Sequence, residues 1–185
     1  MVKKKEEGES PSPSERTEAV NVKRAAFEKI REKSNDELLD SINTLEGEFD
    51  DSGIIQDIKK YTMTAKAAMD SDPMQLQVLA NMQVELSMLI QRMSERQAMA
   101  GYNERAAEYQ LKKSQESLKI IFVEGGDAIG VADSKKVLET ESEFYNHNHA
   151  KYLLDNINLT RRATDKTIDT IRSKLSYEKT VEERG

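Results

Sequence analysis

"DPMQLQVLANMQVELSMLIQRM", residues 72 to 93, carries the apolar row of a long α-helix. Leu79, Met82, Leu86, Leu89 and Met93 recur at alternating steps of three and four, which aligns them on one side of an α-helix, with Val78 and Ile90 widening the row. Asp72-Pro73 reads as the start signal: Asp caps free backbone N–H groups and Pro suits the first helical position. No further proline follows before Phe122, so one helix is expected to run that far. Beyond Met93 the same phase meets Arg96, Ala100, Asn103 and Ala107, and the apolar row returns at Leu111, Leu118, Ile121 and Phe122. Gly101 marks this weak stretch as the place for a kink or a break.

Downstream, Glu124 to Ala132 contains Gly125, Gly126 and Gly130 and reads as a turn, with Asp133 or Ser134 capping a last helix. No Gly or Pro interrupts residues 131 to 184, so the sequence allows one helix to about Tyr177 and leaves its continuity near Asn156 open. At ~1.5 Å per residue each long helix spans roughly 65 to 75 Å. An antiparallel helical hairpin is the simplest arrangement. Val137, Leu138, Phe144, Tyr145, Tyr152, Leu154 and Ile157 are expected to form its broad inner face. Thr164, Ile168, Ile171 and Leu175 continue as a narrow seam.

Upstream, residues 1 to 15 are rich in Lys, Glu, Ser and Pro and read as a disordered tail. Residues 16 to 72 read as an arm of short, mobile helices. The first covers Thr17 to Lys33; Ser34 and Glu37 then form a capping box for a second through Leu38, Leu39, Ile42 and Leu45, which ends at Gly47. A third, from Gly53 to Met69, aligns Ile54, Ile55, Ile58, Tyr61 and Ala65. Residues 73 to 185 make the hairpin. The fold class is thus all-α, a homo-oligomer associating through coiled-coil-like seams at Leu79, Met82, Leu86, Leu89, Met93, Ile168, Ile171 and Leu175.

Composition agrees. Only 37% of the 185 residues are hydrophobic, 34% are charged and Trp is absent, which excludes a thick globular core but suffices for narrow helical seams. Without cysteine there are no disulfides or thiolate metal sites, as in a reducing compartment. The start, MVKKKEEGES, lacks an apolar signal core, and the longest apolar run is Ile120 to Val123. A soluble, cytoplasmic protein without a membrane segment is expected, in the host cytoplasm if phage-encoded, and the Asn158-Leu159-Thr160 sequon is read as chance.

Catalytic and metal chemistry find no footing. His147 and His149 lie about 200° apart on a helix, and Glu143, one turn before His147, has no third ligand to join. In GGDAIGVADSKK, Gly125 and Gly130 at phosphate-loop spacing are followed by Val131 and Ala132 where Lys and Ser/Thr are required. No enzyme activity, metal or cofactor is expected.

One segment stands out against the acidic whole. "RRATDKTIDTIRSKLSYEK", residues 161 to 179, holds Arg161, Arg162, Lys166, Arg172, Lys174 and Lys179 against Asp165, Asp169 and Glu178, a net of 6 − 3 = +3 in a chain of net charge −6. The rest of the chain therefore carries −6 − 3 = −9. An exposed basic helix attracts phosphates, oligomerisation multiplies its charge, and Tyr177 offers a ring for base stacking. The competing explanation is a solvated helix end whose cations suit the macrodipole.

The residues "VADSKKVLETESEFY" (131 to 145) and "TIDTIRSKLSYEK" (167 to 179) resemble the C-terminal half of the UvsY-type recombination mediators of tailed phages. The features in common are an Ala132-Asp133 helix start, a long helix and the run Ile171-Arg172-Ser173-Lys174 with a trailing Lys179. The resemblance covers roughly residues 75 to 180. It implies a noncatalytic helical protein that forms a ring-like homo-oligomer, binds single-stranded DNA and helps a RecA-like recombinase displace a single-strand-binding protein during recombination and replication. It also implies a basic patch late in the first long helix, here Arg105, Lys112 and Lys113. The rival reading is a helical scaffold or adaptor that binds protein partners alone.

Overall fold

A computed structural model of the chain describes residues 13 to 182, which form five α-helices and, among the described residues, no strand. They are α1 (Pro13–Asp51), α2 (Ile54–Met69), α3 (Leu76–Glu124), α4 (Ile129–Glu139) and α5 (Glu141–Glu182). Residues 1 to 12 of the expected tail lie outside the described residues.

The expected arm of short helices is instead one 39-residue helix followed by α2. Ser34 and Glu37 do not open a new helix because tertiary contacts hold the chain helical there. Next to Ser34, Asn35 is buried; its Oδ1 accepts from Gln110 Nε2 at 2.7 Å, and its Nδ2 donates to Ser142 Oγ at 3.2 Å. Gly47 lies within α1 with nothing within 4 Å of an added Cβ, and the turn comes at Gly53, where φ is +69°. Opposite outcomes are therefore expected at the two glycines. Gly47→Ala stabilises by about 0.5–1 kcal/mol through the unfolded chain, whereas Gly53→Ala destabilises by about 1–2 kcal/mol, both measured by urea unfolding.

α3 begins at Leu76, later than Asp72-Pro73 suggested; that peptide bond is cis and lies in the connecting loop. The helix passes Gly101 unbroken. The stretch that reads as weak is a close-packing zone, in which Ala100 and Ala107 are buried with Ala150 and Leu153 of α5. At its end Gly126 (φ +98°) donates to Val123 O at 3.1 Å and Asp127 donates to Phe122 O at 3.0 Å, a Schellman termination.

The last helix is divided. α4 starts at Ile129, ahead of the expected caps; Asp133 instead pairs with Lys119 and Lys136, and Ser134 bonds back to Gly130 O. At Thr140 the backbone leaves helical geometry (φ −106°, ψ 24°), and its hydroxyl donates to Lys136 O at 2.9 Å. α5 then runs unbroken past Asn156.

Cross-helix partners fix the arrangement. Gln115 meets Thr140 just ahead of α5, Glu104 meets His147 and Gln97 meets Asn158, so partners run in opposite order along α3 and the chain from Thr140 through α5. α1 contacts both, through Asn35–Gln110 and Ser41–Asn103 to α3 and through His149–Glu46 to α5. Three apolar clusters follow one another along the bundle. The first joins Leu118, Phe122 and Ala132 with Phe27 against them; the second is built around Ile42, Phe49, Met93 and Ile157; the third joins Ala65, Ala68, Leu79, Leu86, Ile168 and Ile171.

These clusters correct two expectations. Leu79, Leu86, Leu89, Met93, Ile168 and Ile171 are buried within a single chain, and Met82 and Leu175 pack against the third cluster, so the rows expected to be subunit seams are the chain's own core. Val137, Leu138, Phe144, Tyr145 and Tyr152 are exposed rather than an inner face. The break at Thr140 separates α4 from α5, and the buried positions of α5 near it carry Glu143, Asn146 and Ala150. Between the first two clusters the interior is polar. There Arg31 of α1 forms a forked contact with the Glu143 carboxylate, one N–H···O bond of it at 2.9 Å, and also donates to the Glu139 carbonyl at the helix break.

Candidate nucleic-acid interface

α5 is positioned by Ile168 and Ile171, which are buried against α2 and α3, and by the buried Thr164 one turn earlier, and these fix the side of the helix that faces solvent. At about 100° per residue, Arg162, Lys166, Thr170, Ser173, Lys174 and Tyr177 fall within an arc of roughly 120° turned away from Ile168 and Ile171. All six are exposed. Asp165, Asp169 and Glu178 fall outside the arc, so between Arg162 and Tyr177 this face carries three cations and no acid. Among the described residues Arg162, Lys166 and Lys174 form no ion pair. The Thr170 and Ser173 hydroxyls donate back to Lys166 O and Asp169 O, at 2.9 Å each, which leaves the cations and the Tyr177 ring as the groups free to engage a ligand.

The other three expected phosphate contacts lie on a different flank. Arg161 donates to Gln97 Oε1 of α3 and stands 4.0 Å from Asp165. Arg172 pairs with Asp169 at 3.4 Å. Lys179 is exposed but falls on the Arg161 side of the helix by the same angular count. Sequence order alone groups all six cations; the packed face of α5 sorts them.

Arg105, Lys112 and Lys113 do not join this surface. The Gln115–Thr140 and Glu104–His147 pairings place them beside the start of α5, and Arg162 lies 15 residues beyond His147, about 22 Å along the helix. Lys112 is paired with Glu108 at 2.6 Å, which lowers the Glu108 carboxyl below its usual range, and the Lys113 ammonium sits 6.0 Å from the Tyr109 ring centre.

Among the described residues no other place offers a better site. A cavity of about 530 Å³ opens between α1 and the α3–α4 turn, lined by Phe122, Gly125 and Gly126. Its charges are already matched, Arg24 with Glu139 at 2.9 Å and Lys135 with Asp127 at 2.7 Å. The two histidines point to different helices, His147 toward Glu104 of α3 (3.6 Å) and His149 toward Glu46 of α1 (2.9 Å). Among the described residues no group of three or more His, Cys, Asp or Glu could hold a metal ion. No described helix is long and apolar enough to cross a membrane. The solvent side of α3 carries an apolar row outside the seams legible in the sequence: Val84, Met88, Met99, Tyr102, Tyr109 and Ile120 are all exposed.

Comparison of the chain with protein-family models, with curated proteins and with solved structures finds no match.

Proposed function

We propose that this chain is a noncatalytic single-stranded-DNA-binding protein that acts as a mediator in recombination or replication, contacting DNA through the outer face of α5. The observation that carries the reading is the acid-free arc of Arg162, Lys166 and Lys174 with Tyr177, exposed on a protein whose net charge is −6. Three unpaired cations supply sequence-independent attraction to phosphates, and a 66% exposed tyrosine supplies a stacking surface open to any base. Helping a RecA-like recombinase onto DNA covered by single-strand-binding protein is the role implied by the UvsY-type resemblance. An antiparallel hairpin of α3 with α4 and α5, supported by the opposite order of their partners, holds the basic face at one end of the bundle.

Fluorescence anisotropy with a labelled poly-dT oligonucleotide tests this. The full chain is expected to bind at low salt and to weaken as salt rises. The R162Q/K166Q/K174Q variant is expected to lose the binding while keeping its helical circular dichroism. With about 0.7 counterions released per phosphate contact on a single strand, the log–log salt slope should fall by about 2 if any binding remains. A second reading, a scaffold that binds protein alone, is favoured by the exposed apolar row on α3 and gains ground if the folded chain shows no binding at low salt.

A further inference from the structure

The solvent side of α3 carries a second heptad pattern, on the face opposite the core. Met88, Glu95, Tyr102, Tyr109 and Glu116 follow one another at steps of seven, and Arg92, Met99, Ala106, Lys113 and Ile120 do the same four residues later. These are the two positions of a coiled-coil seam. Nine of the ten residues are exposed, Ala106 being half-buried. Arg92, Glu95, Lys113 and Glu116 form no ion pair within the chain among the described residues.

We propose that this face is covered by the same face of a second copy of this chain, in an antiparallel α3–α3 pair with its two-fold axis near residue 104. In that register position i meets position 208 − i of the second copy, and every layer is complementary. Tyr102 meets Ala106 (102 + 106 = 208), a large ring against a small residue, and Met99 meets Tyr109. Outside these central layers Glu95 meets Lys113 and Arg92 meets Glu116, each opposite in sign, and Met88 closes against Ile120. A parallel pair would set Glu95 against Glu95, Lys113 against Lys113 and Arg92 against Arg92, which charge repulsion disfavours. Polar layers at seam positions of this kind fix both orientation and register. The interface is isologous and closes on itself. It replaces the rows at Leu79–Met93 and Ile168–Leu175, which the chain uses for its own core, and it does not depend on the DNA-binding reading.

Sedimentation equilibrium of the full chain tests the pairing. The unmodified chain is expected to be a dimer at micromolar concentration. Glu95→Lys and Lys113→Glu each place two like-charge layers in the interface and should raise the dissociation constant at least roughly tenfold, while circular dichroism shows the exposed substitutions leave the helices intact. The E95K/K113E double variant restores both layers and should dimerise again. Equimolar E95K and K113E chains should form the mixed dimer. A monomeric unmodified chain, an oligomer indifferent to both single changes, or a double variant that stays dissociated would each overturn the proposal. None of these results bears on the α5 face, which is read separately by oligonucleotide binding.

Discussion

Arg31→Met is expected to lower the unfolding free energy by about 3–5 kcal/mol, because it leaves a buried carboxylate without its cation. Glu143 has a side chain with 0% exposure, and Arg31 is 14% exposed. Burial pushes the Glu143 carboxyl up, but the hydrogen bonds and charge of Arg31, with further hydrogen bonding, outweigh it and hold the group below the usual glutamate range. A carboxyl whose pKa is lower folded than unfolded binds fewer protons in the folded state. Its stabilisation is therefore complete above the unfolded value and is lost as pH falls through the lowered one. Urea unfolding should show the difference between the parent and Arg31→Met large near neutral pH and shrinking in acid. A difference that stays constant across that window would assign the loss to packing of the arginine stem and not to the ion pair.

The second large effect separates the chain's own core from its solvent-facing row. Leu86→Ala removes a fully buried side chain from the cluster of Leu79, Ile168 and Ile171 and is expected to cost about 2–5 kcal/mol, through lost burial and the cavity left behind. Met88→Ala, two residues away but 57% exposed, should change the stability of the monomer by no more than about 0.5 kcal/mol. Urea unfolding at a concentration low enough to keep the chains apart makes the comparison. If Leu86 belonged to a subunit seam alone, the two variants would unfold alike under those conditions.

The helices were legible where apolar spacing was strong. The row from Leu79 to Met93 is helical, with Leu79, Leu86, Leu89 and Met93 buried and Met82 partly so, and the helix from Ile54 to Met69 forms as its spacing predicts. What covers those residues was not legible, because a seam of Leu and Met reads the same whether its partner is α5 of the same chain or another subunit. Burial near the Thr140 break departs from the apolar pattern for a different reason. The core-facing positions there are Glu143 and Asn146, satisfied by Arg31 and Asn35 from more than a hundred residues upstream, and no local pattern announces such a partner. Ser34 misled in the same way, since its neighbour Asn35 is held by α3 and α5 instead of serving a helix end. At the candidate interface the basic segment and the Ile168–Ile171 seam were legible, but the partners were not: Arg161 meets Gln97 and Asp165, and Arg172 meets Asp169, whereas Arg162, Lys166 and Lys174 form no ion pair among the described residues.

A charge-matched comparison distinguishes the two flanks of α5. Two triple variants remove the same three positive charges from the same helix: R162Q/K166Q/K174Q on the acid-free face and R161Q/R172Q/K179Q on the other flank. Anisotropy titrations of labelled poly-dT across a salt series should show binding abolished, or its salt slope reduced by about 2, in the first variant and largely retained in the second. Equal losses in the two would show that net charge alone governs binding. No binding by the unmodified, folded chain at low salt would contradict the assignment of α5 as a DNA surface.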